Sequence, residues 1–384
     1  MYDLRPRRSW EDDDAVMFRD SLRRFLAAEA VPRDAQWREN KSVDRDFWLA
    51  AGALGFLCPS LPQAYGGSGT SFAFEAVIAE ELGFVGITSV GHGVHSPIAA
   101  HYVLRYGTPA QCLQWLPRMA SGELLGALAM TEPGGGSDLQ AIRTSARLED
   151  GHYVINGAKT FITNGHNADL IVLAVKTDPA QGAKGVSMLV VETKDLPGFR
   201  RGRNLNKIGM HGSDTAELFF DEVRVPAGNL LGEEGQGFVQ MMESLPQERI
   251  YIALTGQSMM ERAVEITAEY VRERHAFKQS LMDFQNTRFQ LAECLTMARV
   301  TRAFVDQCVD QHIRGELSAA DASMAKYWTT DRQCEVMDKC LQLHGGYGYM
   351  DEYLIARMYA DSRIQRIYGG TNEIMKELIA RSLR

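Results

Sequence analysis

The sequence predicts an α+β protein, mostly α, in three parts: a helical N-terminal domain over 1–125, a mainly antiparallel β-domain over 126–232, and a C-terminal four-helix bundle over 233–384. Three observations predict it. Apolar residues recur at three- and four-residue spacing up to about Leu125. Short β-branched and aromatic runs replace them as far as Leu231, and long helical periods return from Gly237 to the end. With 384 residues the chain has room for two or three domains, or one composite unit, around a sizeable core.

In the first part, AVMFRDSLRRFLAAEAVP, FWLAAGALGF, FAFEAVIAEELGF and PIAAHYVLRYG each carry a helical stripe. Breaks fall at Pro32, at residues 62–67 and at Gly107-Thr108-Pro109. In the middle part, HYVINGAKTFITNG, LIVLAVKT, GVSMLVVET and TAELFFDEVRVP read as strands, separated by Asn-Gly, Gly-Ala-Lys-Gly and Pro-Gly turns. The last part opens with FVQMMESLPQERIYIALTGQSMMERAVEITAEYVRER and continues through two further long helical periods. There is no internal repeat or low-complexity tract.

Composition narrows the function classes. The chain is 45% hydrophobic and 23% charged, as expected of a folded globular protein. Forty-one basic against forty-nine acidic residues give a net charge of −8, which argues against general nucleic-acid binding. The six cysteines form no CxxC pair and sit mostly in apolar helical patterns, the usage of buried free thiols rather than zinc ligands or disulfides. MYDLRPRRSWEDDD lacks the apolar core of a signal peptide, and no apolar run has the length of a membrane span. The expectation is a cytoplasmic protein.

Familiar motifs are missing. No GxGxxG follows a strand and no GxxxxGK[ST] occurs, which disfavours a Rossmann-type or P-loop site; HExxH and GxSxG are absent too. Instead AMTEPGGGSDL, at the helical-to-β boundary, offers three glycines that let a backbone approach a large planar or phosphorylated ligand, with Thr131 and Ser137 as hydroxyl donors. A flexible interdomain loop is the bland alternative. In NGAKTFITNG, strand alternation sends Phe161 and Thr163 to one face, an aromatic ring and a hydroxyl suited to a flat heterocycle; a phenylalanine such as Phe161, taken alone, is more often ordinary core. QLHGGYGYMDEY joins two helices through a glycine pair that admits a cofactor or a neighbouring subunit, or is simply a helix cap.

In their order and approximate spacing, AMTEPGGGSD, KTFITNG, PQERI, QLHGGYGYM and IYGGTNEI resemble the acyl-CoA dehydrogenase family over nearly the whole chain, most like the long-chain type. The resemblance implies that family's fold, a homotetramer built as a dimer of dimers, and FAD held between subunits. It implies flavin contacts from Leu128, Met130, Thr131, Gly136 and Ser137, with Phe161, Ile162 and Thr163 against the ring. Arg274, Phe277, Gln285, Gln342, Leu343, Gly345 and Gly346 would complete the cofactor site, largely from a partner subunit, with Thr371 and Glu373 also in contact. Substrate contacts are implied for Ser137, Gln247, Arg249, Gly369 and Gly370. Two positions depart from the family: Phe161, where Trp is commoner, and Lys278, where glycine is expected.

The implied reaction removes an α-proton from an acyl-CoA thioester and passes the β-hydrogen as hydride to flavin, leaving a trans-2-enoyl-CoA, with electrons going on to an electron-transfer flavoprotein. It needs one carboxylate in a dry pocket and donors for the thioester oxygen. Many members carry that carboxylate in YEGT, where this chain has Gly369. Long-chain and isovaleryl-type members carry it on an earlier helix, and LPQERI places Glu248 at the matching position. The bland reading of Glu248 is a first-turn residue after Pro246 that favours the helix dipole and pairs with Arg249, itself either near the substrate or fixing the helix end. Glu243 and Glu373 are the competing bases. Other functions left open are a same-fold oxidase or monooxygenase and a noncatalytic acyl-CoA-binding protein.

Overall fold

A computed structural model describes residues 5–383. Helices α1 (Asp13–Phe25), α2 (Asp34–Asn40), α3 (Arg45–Ala53), α4 (Phe72–Val85), α5 (His92–Val94), α6 (His101–Tyr106) and α7 (Pro109–Ala120) come first. Their starts are written in the sequence. Asp12, Asp44 and Ser71 each accept a backbone N–H of the first turn of α1, α3 and α4, and Thr108 with Gln111 forms a reciprocal capping box on α7.

A seven-stranded sheet follows: β1 (Gly126–Ala129), β2 (Ser145–Glu149), β3 (His152–Thr163), β4 (Leu170–Lys176), β5 (Val186–Glu192), β6 (Phe199–Asn204) and β7 (Thr215–Pro226). Strands β1 and β2 lie parallel to β4, and the other pairings are antiparallel, so the sheet is mixed but mainly of the expected kind. Strand β4 is buried along its whole length, which explains why LIVLAVK reads as a continuous apolar run instead of alternating.

Helix α8 (Gly237–Glu273), the short hairpin β8 (His275–Ala276) and β9 (Gln279–Ser280), then α9 (Gln285–Ile313) and α10 (Ala319–His344) form the C-terminal bundle, and α11 (Leu354–Ser362) and α12 (Asn372–Arg381) pack on α10. Helix α8 reaches back to α4, so one apolar core joins the first helices to the bundle through Phe72, Val77, Ile250 and Leu254. The same seam buries charge. Arg19 meets Glu80 at 2.8 Å and Glu81 at 2.6 Å, Arg302 meets Glu261 at 2.9 Å and also Glu80, and Arg8 reaches Glu261 at 3.2 Å. Among the described residues no helix is long and apolar enough to cross a membrane, and no cluster of His, Cys, Asp or Glu is placed to hold a metal ion. All six cysteines are free.

Candidate active site

Helix α8 runs unbroken through Pro246, so Glu248 stands well inside a 37-residue helix. This corrects the sequence expectation: Glu248 is not a first-turn residue, Arg249 fixes no helix end, and the N-terminal dipole accounts for neither. Glu248 is 4% exposed. Burial raises its carboxyl to about 7, against the opposing pull of the Arg249 charge, a hydrogen bond from the Tyr102 hydroxyl and the more distant Arg105. Tyr102, on α6, donates to Glu248 Oε1 at 3.4 Å. The two competitors differ. Glu243 and Glu373 are both exposed, and Glu373 is held below the usual carboxylate range, chiefly by its own backbone amide.

The IYGGTNEI turn faces this stretch of α8. Gly369 and Gly370 take φ of +63° and +89°, and a Cβ on Gly369 would meet Ile252 Cδ1, one helical turn past Glu248, at 2.5 Å. Both glycines are therefore required by backbone conformation, and Gly369 also by close approach. Lys326, buried in α10, donates to the Gly370 carbonyl at 2.7 Å and to Asn372 Oδ1 at 2.9 Å, and Thr371 caps α12. Burial lowers the Lys326 ammonium to about 7, and the neighbouring Arg249 charge adds to this. Nothing in the sequence singled out Lys326; its one signal is a lysine set in the apolar run ASMAKYW. Arg249 is buried, donates to Ser323 Oγ at 3.3 Å, leaves its Nε without a partner, and has Nη2 3.9 Å from the position a Gly370 Cβ would take. Gln247 is committed to its own fold: it accepts from Arg105 at 2.8 Å, lies 3.2 Å from His312 Nε2 and donates to the Pro97 carbonyl at 2.6 Å.

The glycine loop is braced from below. Glu132 and Gly135 exchange backbone hydrogen bonds at 3.0 Å, and the Glu132 carboxylate takes Lys159 Nζ at 2.8 Å and the amides of Arg143 and Thr144 at 2.7 and 2.9 Å. Thr160 N–H donates to Thr131 O at 3.0 Å, tying the loop to β3. Gly134, Gly135, Gly136 and Ser137 are exposed; side chains added at Gly134 or Gly135 would meet nothing, whereas Thr131 stands beneath Gly136. Leu128 and Met130 are half-buried next to them.

Phe161 reaches this open side by a route different from the one expected. The β3–β7 ladder slips between Lys159 and Ile162, and Phe161 sits in the slip at φ +59° with its ring 66% exposed. A bulge, not alternation, turns it outward, while Ile162 is buried and Thr163 half-buried. An exposed ring beside an open glycine loop fits a large planar, phosphate-bearing ligand.

The other predicted cofactor residues gather at one end of the bundle. Arg274, Phe277, Gln285, Gln342, Gly345 and Gly346 are all exposed, Leu343 is half-buried, and the Arg274 guanidinium lies 5.5 Å from the Tyr347 ring centre. Phe277 and Lys278 form the two-residue hairpin turn, both left-handed at φ +50° and +66°. Lys278 thus adopts the backbone for which glycine is the usual choice.

A cleft of about 590 Å³ opens at the start of α8, lined by Thr177, Asp178, Gln181, Lys184, Glu234 and Phe238. Sequence reasoning missed it, having read the Gly-Ala-Lys-Gly stretch as a turn only. The ten residue steps of helix from Phe238 to Glu248 span ~15 Å along the helix axis.

Family profiles for the acyl-CoA dehydrogenase N-terminal, middle and C-terminal domains match residues 12–123, 127–223 and 235–384. The mitochondrial long-chain specific acyl-CoA dehydrogenase of Sus scrofa is 45% identical over 96% of this chain and 86% of its own. The crystal structure of an acyl-CoA dehydrogenase from Geobacillus kaustophilus superposes with a TM-score of 0.96 at 47% identity, covering 98% of this chain and 100% of that one. An acyl-CoA dehydrogenase complexed with FAD from Bacillus anthracis gives a TM-score of 0.91 at 31% identity, covering 97% and 67%. With a profile match across each of its three parts and relatives this similar over nearly its whole length, the chain belongs to the acyl-CoA dehydrogenase family.

Proposed function

We propose that this enzyme carries out the FAD-dependent α,β-dehydrogenation of a long-chain or branched acyl-CoA thioester to the trans-2-enoyl-CoA, handing electrons to an electron-transfer flavoprotein. The observation that carries the reading is Glu248: a buried carboxyl, raised to about 7, on the part of α8 that packs against the Gly369 turn. Such a group is ionised near neutrality yet basic enough to take an α-proton. The Gly369 and Gly370 backbone, clamped by Lys326, meets the thioester oxygen, and Arg249 places a buried positive charge beside the developing negative one. FAD, when bound, accepts the β-hydrogen as hydride.

Loop 130–137 and Phe161 hold that cofactor from one subunit, and Arg274, Phe277, Gln285 and the Gly345-Gly346 turn complete the site from another, within a homotetramer. The cleft at the head of α8, ~15 Å along the helix from Glu248, takes the nucleotide end of the CoA. Six free thiols suit a reducing compartment such as the cytoplasm.

The test is anaerobic mixing of the FAD-loaded enzyme with a panel of acyl-CoAs while flavin bleaching is followed. Wild type bleaches, and Glu248→Gln, with FAD content unchanged, slows by about 10³-fold or more. Equal bleaching by both proteins refutes Glu248 as the base. The chain length that bleaches fastest names the substrate class, and peroxide formation in air would instead assign an oxidase.

A further inference from the structure

Each turnover of the proposed reaction leaves the substrate's α-proton on Glu248, a buried carboxyl. That proton must leave before the base can act again, and two helices provide a path. On α6, Tyr102 and Tyr106 lie one turn apart with ring centres 6.0 Å from each other; on α8, Ser244 and Glu248 are spaced in the same way. The four side chains interleave. Tyr102 donates to Glu248 Oε1 at 3.4 Å and faces the Ser244 hydroxyl with the same oxygen. Ser244 Oγ lies 3.4 Å from the Tyr106 hydroxyl, which donates to Glu243 Oε2 at 3.0 Å and to the Gln240 carbonyl at 3.1 Å. Exposure grows along the series: Tyr102 and Ser244 are buried, Tyr106 is half-buried and Glu243 is exposed.

We propose that Tyr102, Ser244 and Tyr106 form a hydroxyl relay that carries the proton from Glu248 to Glu243 and so to solvent. The proposal rests on the reading of Glu248 as the base. Protonated Glu248 gives its proton to the Tyr102 oxygen as Tyr102 passes its own to Ser244, Ser244 to Tyr106 and Tyr106 to the Glu243 carboxylate, which releases it to water. Each O–H bond broken is matched by one formed, and no electrons move. Rotation of the hydroxyls resets the chain. Burial pushes the Tyr102 phenol well above its ordinary range, so it conducts by exchange and not as a phenolate. Arg105 and His312, the other candidates nearby, are engaged with Gln247, and burial lowers His312 to about 4, which leaves it neutral. Tyr102, Ser244, Tyr106 and Glu243 are thus positioning groups that act through Glu248.

The experiment uses FAD-loaded holoenzyme, an acyl-CoA that bleaches it, a weak buffer with a pH indicator, and D2O in parallel. Bleaching, proton release and deuterium wash-in at the substrate α-carbon are followed in one anaerobic turnover for wild type, Tyr106→Phe and Glu243→Gln. The expected result is a fall of about tenfold in the ratio of proton release to bleaching in both variants, with wash-in falling alongside. Tyr106→Phe keeps the ring, and a fold defect would slow bleaching and release together, leaving the ratio unmoved. Wild-type ratios in both variants overturn the relay, even where Glu248→Gln has lost bleaching and the base assignment stands. Normal bleaching by Glu248→Gln overturns both.

Discussion

Glu248 has two properties that follow from one cause. Burial lifts its carboxyl to about 7, and the Arg249 charge, the Tyr102 hydroxyl and Arg105 return only part of that shift. As the proposed base, Glu248 acts when ionised, so the flavin-bleaching rate at saturating acyl-CoA should rise about tenfold per pH unit below about 7 and level off above it. The same shift sets a slope in stability. Between the ordinary carboxylate range and about 7 the folded state keeps a proton that the unfolded state has lost, so stability falls as pH climbs through that window. Glu248→Gln lacks the titrating group; its melting temperature should exceed that of wild type more at pH 8 than at pH 5. A pH-independent difference, with a flat bleaching profile, would mean that Glu248 titrates as an ordinary surface carboxylate. Gly369 belongs to the same local economy of space: with Ile252 against it and φ at +63°, this turn has no room for the carboxylate that other members of its family place there.

At the level of elements, the periodicities that reveal helix and strand in the sequence are those the packing uses, and what escaped is what depends on neighbours remote in sequence. Pro246 looked like a helix start because a proline usually is one; α8 continues through it because the residues on either side, Ser244, Leu245, Gln247 and Ile250 among them, are buried, and packing outweighs the lost backbone bond. The slip at Phe161 leaves no mark on a strand's alternation, since a bulge is a property of two strands together. Tyr102 and Tyr106 read as ordinary apolar positions of α6, and only the facing register of α8 makes them a chain. The buried ion seam is equally silent in sequence, yet it joins α1, α4, α8 and α9. There burial alone would raise Glu80, but Arg302, Arg8 and Arg19 hold its carboxyl well below the usual range. Arg302→Met should therefore cost about 3–5 kcal/mol at pH 7 by leaving Glu80 and Glu261 short of their partner. Thermal unfolding checks this. The deficit should shrink as pH falls through the ordinary carboxylate range, because the stability given by a depressed carboxyl is present above that range and lost below it. A deficit under about 1 kcal/mol would show that Arg8 and Arg19 suffice alone.

For the whole molecule, the surface at the end of the bundle carries an open apolar patch. Phe277 is 91% exposed and Tyr349 84%, and Tyr347, Met350 and Phe289 are open around the Gly345-Gly346 turn. A patch of this kind beside open glycines calls for a covering surface. The open Phe161 ring and loop 130–137 lie on the sheet, the Phe277 hairpin on the bundle, and the proposed function has them hold one cofactor from two copies of the chain. If so, assembly and flavin retention stand or fall together. Phe277→Asn separates the ring from the turn that carries it: asparagine is at ease at the left-handed φ of +50° that Phe277 adopts, so the hairpin survives while the apolar contact is lost. The expected outcome is a shift to smaller species in sedimentation velocity at micromolar protein, with FAD content falling in proportion and the melting profile of the separated chain keeping its helical signal. Unchanged sedimentation with full FAD would leave Phe277 as an exposed turn residue and place the shared surface elsewhere on the molecule.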